Sequence, residues 1–187
     1  SGNDACIVIA EGLSGTEKEF AAEMNIVAKN IGLKNSFFTN STGWPNPKHL
    51  MSSQDLAFLA RLILNRYPDY YTYFAEKEFT WDKITQQNRN PLLGQGLGAD
   101  GLKTGHTKAA GYGLVGSAKR GNRRVTFVLS GLNSKEERKN EAEKITNWAF
   151  RNFEAVKIAR NQKDITSIPV WIGEKKEVIL TTKKDIY

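Results

Sequence analysis

The chain has 187 residues, of which 40% are hydrophobic, and this is long enough to bury a sizeable core. It has no run of about 18 apolar residues and only one cysteine, which excludes a membrane-spanning helix and an internal disulfide. One Cys and two distant His also argue against a zinc site. The net charge of +7 comes from cations interleaved with acids, as in residues 135–144, so we predict no nucleic-acid partner.

Helix-start and helix-stop signals divide the first part of the chain. A short helix capped by Asn3 or Asp4 is predicted to end at Gly12. It includes Cys6, which lies in an apolar run and is predicted to be an inert core thiol. The capping box at residues 16–19 begins a second helix.

Residues 34–51 are predicted to form a long irregular loop, because they are polar and contain Gly and Pro. A third helix is predicted from Ser52 to Tyr67, since the residue before Pro68 disfavours helical geometry. Residues 70–79 are ambiguous, and the favoured interpretation is a short helix followed by a strand at residues 78–81.

The next part of the chain is predicted to form a small antiparallel sheet and a long helix. Extended segments are expected at residues 101–105, 111–119 and 123–131. The hairpin signal Gly121-Asn122 makes the last two antiparallel. A capping box at residues 134–137 opens a helix to Phe153, with Ile145, Trp148, Ala149 and Phe153 facing inward. Helices and strands are segregated along the chain, which favours an α+β fold.

The tripeptide Lys103-Thr104-Gly105 lies in the first of these extended segments. An ammonium and a hydroxyl on a strand edge can hold a carboxylate, and a glycine lets a ligand lie against the backbone. Such an edge can also bind an extended peptide as one more strand. Alone, the tripeptide is only suggestive, because about a few percent of chains this long contain it by chance.

A second motif makes the functional interpretation of this tripeptide more specific. The chain begins Ser1-Gly2-Asn3, and Ser-x-Asn followed about a hundred residues later by Lys-Thr-Gly is the pairing used by active-site-serine penicillin-binding proteins and class A β-lactamases. With the motifs at residues 87–90, 100–107 and 110–112, the chain up to about residue 154 resembles the low-molecular-weight penicillin-binding proteins that act as D-alanyl-D-alanine carboxypeptidases.

This resemblance implies a domain organisation. Residues 1–155 would form the distal part of a transpeptidase-like (penicillin-binding) domain of α+β type, an antiparallel sheet with helices. Residues 156–187 look like the start of that family's small β-rich C-terminal domain.

The resemblance also implies residue roles. Among catalytic residues, Ser1 would join the proton relay to the leaving amine, Asn3 would hydrogen-bond the substrate amide, and Lys103 would supply positive charge near the relay. The alternative for the first two is a flexible N-terminus.

Four residues would bind the substrate: Arg89, Thr104, Gly105 and His106. Thr104 would bind the terminal carboxylate, and Arg89 would help to fix it because its planar fork can bind both oxygens. Gly105 leaves the backbone accessible, and the His106 N–H would complete the oxyanion hole. For the His106 side chain, a structural and a catalytic role stay equally open, and for Arg89 the alternative is a surface arginine on a loop.

The Ser-x-x-Lys motif that supplies nucleophile and base in this family is absent. Ser14 is followed by Lys only at the fourth position, and Ser117 has Arg at the third. In relatives this motif precedes Ser-x-Asn, so another chain or segment would have to supply it. The chain alone is therefore expected to be inactive, and an inactive fragment or a wall-peptide-binding remnant is the alternative reading. A third reading, an N-terminal nucleophile hydrolase using Ser1, needs that serine at a strand tip.

For the parent protein, the resemblance implies removal of the terminal D-Ala from peptidoglycan stem peptides through an acyl-enzyme. β-Lactam antibiotics would acylate the same serine, and no cofactor is implied. The family works in the periplasm, at the outer face of the cytoplasmic membrane, with an anchor expected beyond Tyr187.

Overall fold

The computed structural model describes residues 2–186, and those residues form five α-helices, a 3-10 turn and nine strands. The helices are α1 (Asn3–Ser14), α2 (Glu17–Ile31), α3 (Ser53–Arg66), α4 (Pro68–Tyr71) and α5 (Lys135–Asn152), and the 3-10 turn is Thr72–Ala75. The strands are β1 (Ser36–Phe37), β2 (Leu50–Met51), β3 (Glu78–Trp81), β4 (Ile84–Gln87), β5 (Ala99–Thr107), β6 (Gly111–Arg120), β7 (Arg123–Leu132), β8 (Asp164–Pro169) and β9 (Glu177–Thr181). None of these helices is long and apolar enough to cross a bilayer.

The chain divides into two compact units, the first ending at Ala149 and the second beginning at Phe150. The second unit contains the antiparallel β8–β9 hairpin. Its assignment as the start of a separate β-rich domain stays a prediction.

The main sheet of the first unit has the order β5-β6-β7, and both pairs are antiparallel. The hairpin predicted around Gly121-Asn122 is confirmed, with Arg120 paired to Arg123. Since β5 pairs only with β6 among the described strands, it forms an edge of this sheet.

Helices cover both faces of the sheet. On one face, Leu92, Leu114 and Phe127 pack with Ala142 of α5. On the other, Leu102 packs with residues of α3 and α4, including Ala60 and Tyr71. Burying a side chain such as Leu114 contributes about 2 kcal/mol, so these clusters fix the position of β5 between the helices.

Both predicted capping boxes form. The Thr16 hydroxyl accepts a hydrogen bond from the Glu19 N–H at 3.1 Å and donates one to Glu19 Oε2 at 2.8 Å. Ser134 accepts one from the Glu137 N–H at 2.9 Å. The predicted end of α1 at Gly12 is wrong: the helix runs to Ser14, and Gly15 ends it with a φ of 82°. A helix tolerates an interior glycine at a cost of about 1 kcal/mol, whereas a left-handed φ stops it.

Three inward positions were also predicted wrongly. Cys6 is exposed on α1, and Trp148 and Phe153 are 50% and 58% exposed. The stripe of α5 that is buried consists instead of Arg138, Ala142, Thr146 and Ala149. Successive members of this stripe are three or four residues apart, which is the helical repeat, and Trp148 lies to one side of it.

Residues 34–51 were predicted to be an irregular loop, but they contain the paired strands β1 and β2, and the segment is fixed to neighbouring helices. The buried Asp55 carboxylate accepts hydrogen bonds from the N–H groups of Lys34 and Asn35 and from the Ser36 hydroxyl, at 3.2, 2.7 and 2.6 Å. Glu17 of α2 accepts two more from Ser41, at 3.0 and 2.7 Å. These bonds satisfy backbone groups that a loop would otherwise expose to water.

Candidate active site

A cleft of about 760 Å³ lies in the first unit. The start of α1 lines it with Gly2 and Ala5, β5 with residues 102–104, and the loop before β5 with Arg89. The β3–β4 hairpin completes its wall. The N-terminal segment and the Lys-Thr-Gly edge, far apart in sequence, therefore meet at one cavity.

Lys103 lines the cleft and is exposed as a residue, and its ammonium donates a hydrogen bond to the Thr104 carbonyl at 2.6 Å. Partial burial is the main cause that lowers the pKa of Lys103 below its ordinary value. The positive charges of Arg89 and Arg138 lower this pKa further. The ammonium therefore gives up its proton more readily than a free lysine.

Thr104 and Gly105 differ in their surroundings. Thr104 is only 8% exposed and lies opposite Leu114 in the β5–β6 register. A Cβ on Gly105 would meet no atom within 4 Å, so the backbone there is open to a ligand.

His106 lies two residues beyond Thr104 and therefore on the same sheet face. Its cross-strand partner is Tyr112, and the two rings are 4.0 Å apart between centroids, tilted by 31°. The Arg138 guanidinium lies over the same Tyr112 ring at 5.6 Å. Tyr112 thus links the exposed His106 to α5.

Arg138 is a residue of this region that the sequence analysis missed. It is 6% exposed, and its Nε has no hydrogen-bond partner among residues 2–186. Burial lowers the pKa of its guanidinium, and the charge of Arg89 adds to this effect while Tyr112 opposes it. The charged residues around Arg138 are typical of a solvated helix face. The one sequence feature that indicated burial was that Arg138 precedes the apolar Ala142 by four residues, about one helical turn.

Arg89 owes its position to the two asparagines beside it. Asn88 Nδ2 donates to the carbonyls of Phe74 and Glu76, at 3.3 and 2.8 Å. The buried Asn90 Nδ2 donates to the Gly101 carbonyl of β5 at 2.9 Å. The segment that carries Arg89 is therefore fixed to the strand that carries Lys103.

An ionic network fixes the beginning of β5. Both terminal nitrogens of Arg124 bind the Asp100 carboxylate, at 2.7 and 2.6 Å, and the Tyr71 hydroxyl donates to the same carboxylate at 2.9 Å. Burial raises the pKa of Tyr71 to about 12, so its hydroxyl remains a donor. A Cβ on Gly101 would overlap the Tyr71 hydroxyl, which explains the glycine at that position.

The other predicted site residues are less closely associated with the cleft. Asn3 is the first residue of α1 and is half-buried. Asn3, Gly105 and His106 are not among the described residues that line the cleft, and Ser1 lies outside the described residues. Within residues 2–186 there is no group of three or more His, Cys, Asp or Glu side chains that could hold a metal ion.

Sequence comparison places this architecture among known proteins. The family described as D-alanyl-D-alanine carboxypeptidase matches residues 1–134. The D-alanyl-D-alanine carboxypeptidase DacD of Salmonella typhimurium is 39% identical over 188 residues, covering 100% of this chain and 48% of the relative. DacC of Escherichia coli is 41% identical over 181 residues, covering 96% and 45%.

Solved structures agree with these matches. Penicillin binding protein 5 from Haemophilus influenzae superposes with a TM-score of 0.90 at 39% identity, covering 98% of this chain and 54% of that protein. Penicillin binding protein 6B from Escherichia coli has a TM-score of 0.81 at 38% identity, covering 96% and 55%. These structural matches confirm the predicted α+β fold of penicillin-binding proteins. The chain spans about half the length of the curated relatives that it matches. The chain belongs to the D-alanyl-D-alanine carboxypeptidase family.

Proposed function

We propose that this chain forms the substrate-binding half of a serine-type D-alanyl-D-alanine carboxypeptidase, which removes the terminal D-Ala from peptidoglycan stem peptides. One observation carries the proposal: the start of α1, Arg89 and the Lys103-Thr104 edge line a single cleft. Motifs that are far apart in the sequence can act on one substrate only if the fold brings them to the same cleft.

The substrate's terminal carboxylate would be held by positive charge and a hydroxyl. Thr104 would donate the hydroxyl, and Arg89 would bind in a bidentate manner. Arg138 would add positive potential from the α5 side of the sheet. Because this charge is fixed before the substrate arrives, the site need not reorganise to bind an anion.

Lys103, Ser1 and Asn3 would serve the chemical step. A lysine with a lowered pKa can take part in proton movement near neutral pH more readily than an ordinary one. Ser1 would pass the proton to the leaving amine, and Asn3 would hydrogen-bond the substrate amide. The peptide would lie along the free edge of β5 at Gly105, with the His106 N–H directed at the developing oxyanion.

The nucleophile would come from a Ser-x-x-Lys motif on another chain or segment. Its Oγ would attack the carbonyl carbon of the D-Ala-D-Ala bond, and the C–N bond would break as the leaving amine took a proton. Water would then hydrolyse the ester and regenerate the serine.

β-Lactam antibiotics would bind at the same place, since their ring carbonyl and carboxylate mimic the dipeptide. Penicillin-binding protein D2 from Listeria monocytogenes, 31% identical over 80% of this chain, is known in ampicillin-bound and cefotaxime-bound forms. The reaction would take place in the periplasm at the outer face of the cytoplasmic membrane.

Labelling with a fluorescent penicillin tests this function. The 187-residue chain alone should remain unlabelled, whereas the intact protein should be labelled. In the intact protein, Lys103→Ala should slow labelling by more than about tenfold, equivalent to about 1.4 kcal/mol of activation free energy. Lys119→Ala removes the same charge from an exposed position on β6 and should label normally. Covalent labelling of the isolated chain, or a normal rate for Lys103→Ala, would contradict the proposal.

A further inference from the structure

The β3–β4 hairpin has one apolar and one polar face. Its register pairs Phe79 with Gln86 and Trp81 with Ile84, and directly opposite residues of an antiparallel pair share a face. Thr80 and Thr85 form the alternate pair, with their hydroxyls 2.8 Å apart on the other face.

The whole apolar face borders the candidate active site, since Phe79, Trp81, Ile84 and Gln86 all line the cleft. Of the polar face, only Glu78 and Gln87 at the open end of the hairpin line it, and Thr80 and Thr85 are not among its described lining residues. Three of these side chains remain largely open: Phe79 is 69% exposed, Trp81 76% and Ile84 63%.

Exposing these apolar side chains to water does not stabilise a short hairpin. Two-stranded hairpins are marginally stable on their own. The cross-strand pair of Trp81 and Ile84 supports the turn equally whether this face meets solvent or the cleft. Exposed aromatic residues that line a cavity and are bordered by polar groups are typical of ligand-binding surfaces.

The cavity has a charge pattern as well as an apolar wall. Lys103 and Arg89 supply cations beside Thr104, while Glu76 and Asp82 supply carboxylates among the lining residues of the hairpin region. The volume of about 760 Å³ lies within the range of roughly 300–1,000 Å³ that is usual for drug-sized ligands. The hairpin residues and Thr104 line the same cavity, so a ligand held at Thr104 by its carboxylate would extend from there over the hairpin.

We propose that the Phe79–Trp81–Ile84 face is a second subsite, which binds the part of the peptide that precedes its terminal dipeptide and favours an apolar group there. This inference rests on the proposed function, because it assumes that the carboxylate end lies at Thr104 and Arg89. Trp81 and Phe79 would contribute flat apolar surface, which fixes few rotatable bonds on binding. The hairpin would then be a determinant of substrate preference, separate from the residues that carry out the chemistry.

Binding of a matched pair of peptides to the full 187-residue chain tests the subsite. The ligands are N-acetyl-D-Ala-D-Ala and N-(3-phenylpropionyl)-D-Ala-D-Ala, and their dissociation constants are measured by calorimetry or NMR titration. The phenylpropionyl peptide should bind several-fold more tightly to the unmodified chain. Trp81→Ala should remove this gain and leave the acetyl peptide unaffected. Thr85→Val, on the opposite face of the same hairpin, should keep the gain.

The outcomes separate this inference from the proposed function. If both D-peptides bind but Trp81→Ala weakens them equally, or the gain is absent, the subsite is refuted and the proposed function stands. If the L-Ala-L-Ala counterparts bind equally well, and only the phenylpropionyl one loses affinity in Trp81→Ala, the subsite stands and the carboxypeptidase specificity fails. If the unmodified chain binds none of the four peptides, both proposals fail. Because Trp81 is exposed, its replacement removes one cross-strand pair of the hairpin but should change the melting temperature of the chain by no more than about a degree or two.

Discussion

Arg138 is a positive charge held in the interior of the first unit. It is 6% exposed, and its Nε has no hydrogen-bond partner within the described part of the chain. No ion pair of the described residues involves it, although it lies over the Tyr112 ring. A buried cation without an acidic partner reduces stability, and under the proposed function this cost is offset by the positive potential that Arg138 would add to the candidate site.

Replacing Arg138 should therefore change stability and binding in opposite directions. Arg138→Met keeps an unbranched apolar side chain and removes the charge, so the melting temperature should stay the same or rise. Affinity for N-acetyl-D-Ala-D-Ala should fall by about tenfold, since the carboxylate loses the attraction of a buried positive charge. Affinity for the C-terminal amide of the same peptide should not change. Thermal unfolding and calorimetric titration measure the two effects.

Lys139→Met is the matched control for this variant. Lys139 is the next residue of α5 and lies 4.0 Å from Glu143 on the exposed side of the helix. Its loss removes the same charge without touching the sheet face. If both variants weaken carboxylate binding equally, Arg138 acts only through the net charge of the protein.

At the level of single residues, sequence patterns found the Lys-Thr-Gly edge and Arg89 but not Arg138. The tripeptide is contiguous, and Arg89 lies in a recognisable motif. Arg138 lies in a run of charges, and only the packing of α5 on the sheet distinguishes it from the exposed cations beside it.

Among the elements, α5 is the one that carries Arg138 to the sheet, and its first turn is held by a capping box. Ser134 accepts a hydrogen bond from the Glu137 N–H, and Glu137 Oε2 accepts one from the Asn133 N–H at 2.7 Å. Arg138 begins the turn that directly follows. The cap therefore stabilises the part of the helix on which the position of Arg138 depends.

Ser134→Ala should lower the free energy of unfolding by about 1 kcal/mol, because the Glu137 N–H loses its acceptor. Circular dichroism during thermal unfolding measures the loss. Ser134→Asp supplies another good cap and should restore the melting temperature. An unchanged melting temperature in Ser134→Ala would mean that Glu137 alone maintains this helix end.

Local signals also placed most of the elements correctly. The capping boxes at residues 16–19 and 134–137 and the Gly121-Asn122 turn were confirmed, because each acts over three or four neighbouring residues. Gly12 misled the prediction because a glycine ends a helix only where the backbone takes a left-handed φ, as Gly15 does.

For the molecule as a whole, buried and bonded carboxylates make stability depend on pH. Hydrogen bonds from Ser36 and from backbone N–H groups hold the pKa of Asp55 below its ordinary value, although burial opposes them. The Ser41 hydroxyl and N–H do the same for the pKa of Glu17. A depressed folded-state pKa contributes stability that is present above the unfolded pKa and lost as pH falls through the folded one.

The melting temperature should therefore fall as the pH is lowered from about 5 to about 3. Asp55→Asn should melt several degrees lower than the unmodified protein at pH 6, because the amide cannot accept all three bonds from residues 34–36. Its melting temperature should also respond less to acid. Asp69→Asn changes an exposed carboxylate of α4 and should follow the unmodified curve. Identical pH curves for Asp55→Asn and the unmodified protein would contradict this assignment.

The sequence by itself determined the family, the α+β class and the Lys-Thr-Gly strand, since these depend on contiguous motifs and short-range capping and turn interactions. Only the tertiary structure decided which residues share a cavity: it brought the start of α1 beside Lys103, buried Arg138, exposed Trp148 and turned Phe79 and Trp81 to the cleft. The reason is that burial and proximity arise from packing between elements distant in the chain, and no local pattern records which face of an element meets another.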